Sequence, residues 1–468
     1  MNKNFAKNLK NICMAVCVGI GAVQVCYALL WAFQNGTDIQ DFYDTSIYIE
    51  NALLMNNDGW RLPAYSLFVR VFLDMQGSLG DCYLVLLYLT QVTISLLCFA
   101  GGCKTLAELL YDKKVSYVKM FLPAGYILTI PIVWQMQFAV LPDALCVAIT
   151  VLMVSKLATC LWKYRKAQWD AFLVILGCLC LLGVMHRHYF YGATLFCVAC
   201  SLILLIRNVN KKYRCKEGLI AAGALFVCVI VTAVVTVSAA SKYEKDENYV
   251  TYSLAADLLD SFVYPNIRED YQHYPGEVHE ILPKEYVEEY GDNYERYMIY
   301  IASHIEEADS GAADRRYLQM VKTGISLHGK EIASKFIKEA VAYHFLPFAM
   351  VKYMYFNGNS LYGHNLMKMY EATPKLTVDY MHTGMIGFGV ISLLGIITCV
   401  ADAIVQKDKR KHLIRILLFS AMNIFTITLP IMLLNVLRFD YRYGLVTVFV
   451  WGSLALLSIW NNSKKDIN

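Results

Sequence analysis

Charge is what this sequence has least of. Only 17% of its 468 residues are charged and 57% are hydrophobic, with a mean hydropathy of +0.42. A soluble globular chain carries about 25% charged residues and about 45–50% apolar ones. The deficit is concentrated in apolar runs of roughly 17–24 residues, the length a helix needs to cross the hydrocarbon core. The middles of these runs are almost free of ionisable groups. Lys104, Lys119, Lys156, Asp402 and Arg415 lie towards run ends, where long side chains can reach water. That absence argues against an ion- or proton-coupled transporter, which uses ionisable groups deep in the bundle. Cysteine is missing from residues 241–380, although the chain has 15, so no disulfide framework holds that segment. Cys178, Cys180, Cys197 and Cys200 fall inside apolar runs with no carboxylate nearby and read as small packing residues. No internal repeat, low-complexity tract or Gly/Ser linker divides the chain.

What is present is a set of about ten candidate spans. They lie near 11–33, 83–103, 117–135, 144–162, 169–186, 189–206, 217–239, 383–405, 413–435 and 444–460. The first follows Lys3, Lys7 and Lys10 and shows no small-residue cleavage site, so it reads as a retained anchor. Basic clusters recur after every second span, at Lys113–Lys114, Lys163–Lys166, Arg207–Lys216, Lys407–His412 and Lys464–Lys465. Positive loops stay cytoplasmic, so ten spans put both termini on that side. The net charge of +4 is a sum of unlike parts, because 241–380 holds 22 carboxylates against 14 Lys and Arg. The basic clusters serve as topology determinants facing anionic lipid and imply no nucleic-acid partner.

The expected fold is therefore an all-α membrane protein in three parts. Residues 1–240 carry seven spans and a long first outer loop, 34–80. Residues 241–380 form a polar, Tyr-rich outer segment of mainly helical pattern, in which Lys330–Phe348 is amphipathic. Residues 381–468 carry three spans. Within 34–80, the run Asp41–Met55 has helical spacing that sets Asp41, Asp44 and Tyr48 on one face. A turn at Asn56–Gly59 leads to Arg61-Leu-Pro-Ala-Tyr65 and an apolar stretch, Ser66–Leu73, too short to span. Two helices lying along the outer interface are expected.

Polar chemistry gathers at the outer boundary. Asp38, Asp41 and Asp44 follow the first span, and Asp143 opens the fourth. His186, Arg187 and His188 make the turn between the fifth and sixth. Arg438, Asp440, Tyr441, Arg442 and Tyr443 lie between the ninth and tenth. Carboxylates and guanidinium groups at one depth of a lipid–water boundary suit chemistry on a lipid-linked phosphate. Each also has a plainer use. Asp143 would serve as a helix cap, the His186–His188 group as a headgroup anchor, and the arginines as lipid-phosphate ligands. Two acids on the apolar-rich face of an interfacial helix are harder to explain that way.

Asp44-Thr-Ser-Ile-Tyr48, Ala52, Gly59 and Arg61-Leu-Pro63-Ala-Tyr65 resemble the first outer loop of GT-C membrane glycosyltransferases, a group that includes protein mannosyltransferases and the bacterial lipid A aminoarabinose transferase. Asp143 is similar to an acidic position opening a later outer-facing helix, Arg187 to a basic position at a hairpin, and Arg438–Tyr443 to an Arg-Tyr element before a late span. Two departures stand out: Ser66 replaces a second Pro, and Asp143 stands where Glu is common.

The resemblance implies transfer from a polyprenyl-phosphate sugar on the outer face of a plasma membrane, bacterial by the broad match, to a glycan, lipid or protein acceptor. A phosphate is a good leaving group and needs no general acid, whereas the acceptor hydroxyl needs a base on the opposite face of the sugar ring, giving inversion. Asp44 takes that role, with Asp41 in reserve. Arg187 and Arg438, then Arg442 and Arg61, suit the departing phosphate. Tyr48, Tyr65, Asp143 and His186 complete the expected substrate site. A metal is not required, although Asp44 with Asp143 offers a place for a divalent ion. Two other readings remain open. A polysaccharide polymerase or ligase would depend on Arg315, Arg316 and His344. A lipid or glycan exporter or assembly partner would show a continuous polar path.

Overall fold

The computed structural model describes residues 3–36, 45–55, 62–111, 114–163, 168–209, 215–241, 266–274, 283–290, 310–344, 375–405 and 444–460, with 263, 276 and 279 as single positions. Helices account for 91% of these residues, with no strand among them.

Along the chain come α1 (Lys3–Asn35), α2 (Thr45–Leu54), α3 (Pro63–Leu73), the single turn α4 (Gln76–Leu79) and α5 (Cys82–Tyr111). A 3-10 turn, Val118–Met120, leads into α6 (Phe121–Leu128) and α7 (Pro131–Gln137). Then follow α8 (Asp143–Trp162), α9 (Trp169–Met185), α10 (Arg187–Val209) and α11 (Lys216–Ser241). The polar segment holds α12 (Ile267–Asp270), α13 (Lys284–Tyr290) and α14 (Ser310–His344). The chain closes with α15 (Lys375–Val405) and α16 (Leu445–Trp460).

Among the described residues, six helices are long and apolar enough to cross a membrane: within α1, α5, α8, α10, α11 and α15. The chain is a multi-pass membrane protein. The α9 and α16 helices are apolar but shorter, and the expected span at 413–435 lies outside the described residues.

One expected span is bent. Residues 117–135 do not form a straight helix, because α6 and α7 meet at 95°. Thr129 ends α6, Ile130 is extended, and Pro131 is the first residue of α7. Proline's ring disfavours the helical conformation for the residue before it and suits the first helical turn. Two carbonyls at the break, those of Tyr126 and Thr129, are satisfied by neighbours. The Gln24 side-chain amide donates to the Tyr126 carbonyl (3.0 Å) and the Thr129 hydroxyl (3.1 Å), and the Tyr380 hydroxyl donates to the Thr129 carbonyl. Irregular backbone at membrane depth is tolerated only where protein covers it in this way. Gly384 lets α15 pass over the break, since a Cβ there would lie 2.3 Å from Pro131 Cγ.

Packing fixes the direction of each helix. Tyr189 reaches Asp143 at one end of α8, and the Arg207 guanidinium donates to the Leu161 carbonyl at the other (3.0 Å), so α8 and α10 run parallel. Cys228 meets Phe172 and Thr232 meets Cys180, so α11 runs parallel to α9 and ends where α9 ends. Tyr27 stacks on Tyr380, and Gly387 lies against Ile20, so α15 runs opposite to α1. Gly395 meets Ala455 and Cys399 meets Ser458, so α15 and α16 are parallel. One end of the bundle therefore carries the end of α1, the starts of α8 and α10, the end of α11 and the start of α15. Segment 242–374 leaves from and returns to that end. The sequence's basic clusters follow helices that finish at the other end.

The core centres on α8. Of its best apolar window 83% is buried, against 22% for α1 and 28% for α11, whose free faces are apolar.

Candidate functional site

The end of the bundle that carries Asp143 is unlike the rest. It is lined with aromatic rings and held by a network of uncharged polar groups.

The α2–α3 hairpin builds its roof. Pro63 at the first helical position starts α3, and Tyr65, Ser66 and Val69 make a buried face. Thr45, Tyr48, Asn51 and Ala52 make the matching face of α2. Tyr48 meets Tyr65 edge-on, with centroids 5.2 Å apart at 85°. Met55 ends α2 with φ 53°, a left-handed cap more often taken by glycine. The Arg70 guanidinium covers that helix end, donating to the carbonyls of Leu53 (2.9 Å) and Ala52 (3.3 Å), and pairs with Asp74 at 2.7 Å. The apolar stretch thus folds within α3, which pairs with α2 on the bundle and leaves Leu53, Leu54, Leu67 and Val71 exposed.

Beneath the roof, Tyr65 is fully buried and its hydroxyl donates to Gln91 Oε1 at 2.9 Å. Burial, with the Tyr88 phenol and the Asp143 carboxylate adding to it, pushes the Tyr65 phenol well above its ordinary range, so it stays a donor. The Gln91 amide donates onward to the carbonyls of Gln137 (2.8 Å) and Ala139 (3.1 Å). Ser95 donates to Gln137 Oε1 at 2.9 Å. These bonds stabilise residues 138–142, a buried irregular connection between α7 and α8. Phe138 in that connection contacts Trp31, Tyr88 and Trp134, and the Trp134 indole donates to the Ala28 carbonyl at 2.9 Å.

Asp143 is the first residue of α8, after Pro142 in the cap position, and is 2% exposed. A carboxylate there meets the positive end of the helix dipole. The Tyr189 hydroxyl lies 3.4 Å from its Oδ1. His186 is the single extended residue joining α9 to α10 and packs edge-on to Tyr189, with centroids 5.2 Å apart. Arg187 is the first residue of α10. Asn51, 7% exposed, has an amide nitrogen with no hydrogen-bond partner among the described residues.

Of the residues expected from sequence, Tyr48, Tyr65, Asp143 and His186 gather at this one end. Asp38, Asp41, Asp44, Arg61, Arg438 and Arg442 lie outside the described residues, as does the side chain of Arg187. Reasoning from sequence missed Gln91, Ser95, Gln137 and Arg70. The signal for the first three was available: amides and a hydroxyl within apolar runs need partners, and glutamine is a poor choice for a lipid-facing position. No cluster of metal-binding side chains occurs among the described residues.

No protein-family model, curated protein or solved structure matches this chain.

Proposed function

We propose that this chain is a membrane glycosyltransferase that moves a sugar from a polyprenyl-phosphate donor to an acceptor at the Asp143 end of the bundle. The observation that carries the reading is the docking of α2 and α3 at that end. The α2–α3 pair is held through Tyr65 at the end where α8 and α10 start, and in sequence Asp44 immediately precedes α2.

In this scheme Asp44 accepts the proton of the acceptor hydroxyl as it attacks the anomeric carbon, and the polyprenyl phosphate departs with the bonding pair. Arg187 and Arg438, then Arg442 and Arg61, offset the charge developing on that phosphate. Buried Asp143 works from below: through Tyr189 it positions the α9–α10 corner where Arg187 begins. The free amide of Asn51 is a donor suited to a sugar hydroxyl. A divalent ion between Asp44 and Asp143 remains a variant of the scheme, tested by chelation.

The full topology belongs to the same proposal. The parallel course of α15 and α16 supports a return span at 413–435, and with α9, the bent α6–α7 pair and α16 counted the total is ten. Basic residues after α5, α8, α10 and α15 then put both termini in the cytoplasm and the site on the outer face, and the resemblance adds that the membrane is a bacterial plasma membrane.

Asp44→Asn tests the reaction. Transfer from a polyprenyl-phosphate sugar in membranes is expected to fall by about 10²–10⁴. Near-normal transfer would remove Asp44 as the base.

A further inference from the structure

The polar segment contains a second cluster, remote in sequence from the first. The α14 helix is interrupted at His328, whose φ of −121° and ψ of 17° are not helical. Its imidazole bridges two carboxylates. Nε2 lies 2.6 Å from Asp270 Oδ2 and Nδ1 lies 2.9 Å from Glu331 Oε2. The two acids differ: the Asp270 side chain is 8% exposed and that of Glu331 is 78% exposed. Asp270 closes α12, and the adjoining turn packs Tyr271 on His279 with ring centroids 4.4 Å apart, while Tyr274 is buried beside it.

A neutral imidazole has one N–H and one lone pair, so with both nitrogens facing carboxylate oxygens one contact would be repulsive. Only the imidazolium donates to both. Neither nitrogen is left for a metal ion or a substrate proton, so the arrangement is built for holding. The kink explains the reach, because a non-helical residue redirects its side chain away from the helix's own stripe.

We propose that Asp270, His328 and Glu331 form a proton-controlled clasp, which fastens the middle of α14 to the 266–274 turn when His328 is charged and releases it as pH rises. Around the clasp, the cations Arg268, Lys284, Lys322 and Lys330 and the acids Glu269, Glu285, Glu288 and Glu289 sit on the packed elements. His273, His279, Tyr271, Tyr274 and Tyr286 are further titratable groups on those elements. Of these, Arg268 is turned to the Glu288 carbonyl, Lys284 pairs with Glu288, and His279 meets the Tyr271 carbonyl at 2.8 Å. Asp270 and Glu331 are the groups that bond His328.

The direction follows from the charges. The Glu331 hydrogen bond, reinforced by Asp270 and opposed by burial, raises the His328 imidazole above its ordinary range. The clasp's contribution is complete below the ordinary histidine value, about 6.5, and is lost as pH climbs through the raised one. Deprotonation leaves the buried Asp270 carboxylate facing a neutral ring, and separation lets water reach it.

The test is hydrogen exchange on the full chain in lipid nanodiscs, read as protection corrected for intrinsic exchange. Between about pH 6 and about pH 9, peptides from 266–274 and from the centre of α14 are expected to lose protection together, by roughly tenfold. His328→Arg stays charged throughout and is expected to flatten that pH dependence. Glu331→Gln, at an exposed position that tolerates substitution, is expected to shift the loss to lower pH. Flat protection in the unaltered chain overturns the proposal. So does a pH dependence that survives His328→Arg or does not move in Glu331→Gln.

Discussion

Gln91 lies in the apolar run of α5, where hydropathy alone would favour leucine. Its side chain accepts from Tyr65 and donates to two carbonyls of the α7–α8 connection. Gln91→Leu leaves three buried groups without this partner, at about 1–3 kcal/mol each. The substitution is therefore expected to lower the thermal unfolding midpoint in detergent, although it makes the run more apolar. A midpoint that holds or rises would mean the network carries no stability. The same residue shows what the sequence could convey. Asp143 is conspicuous because an acid beside an apolar run is rare. An amide gives no such contrast, and its partners are carbonyls of a backbone whose course is invisible before the fold is known.

Helices with an uninterrupted apolar run were legible, because length against bilayer thickness is a strong constraint. The break between α6 and α7 was not, since the run reads through Thr129 and Pro131 with no loss of apolarity. What decides it is local: proline's missing N–H and its restriction on Ile130. The α2–α3 pair was legible as two short helices around a polar turn, but the Arg70 clamp that ties them was not. Elsewhere helix contact depends on small residues. Gly395 sits against Ala455, where a Cβ would lie 2.4 Å from that residue's backbone. With no hydrophobic force between helices in lipid, such close approach supplies the packing that holds α15 to α16. Gly395→Leu is expected to force the pair apart, at a cost of about 1–3 kcal/mol or more. The loss should appear as faster proteolysis of the C-terminal part in detergent, and an unchanged rate would show that the contact is slack.

At the scale of the molecule, alternation of helix direction and of basic residues agree, although one comes from packing and the other from sequence. Epitopes inserted after Lys212 and after Gly80 are expected to be accessible from opposite sides of sealed vesicles. Access from the same side would break the topology proposed here. The meeting of Tyr48, Tyr65, Asp143 and His186 was legible only as a shared depth, because sequence order says which end a residue occupies and not which neighbours it meets there.

The burial of α8 has a consequence for how the chain is made. It is as apolar as α1, yet lipid touches little of it in the finished bundle. Its apolarity must serve the moment of synthesis, when a nascent helix leaves the insertion machinery and is sorted into the bilayer by its own solubility there. The α1 helix keeps that exposure for good. The α8 helix needs it only until its neighbours close round it, α5 before it in the chain and α9 and α10 after it, when the surface that carried it into lipid becomes the wall against which they assemble.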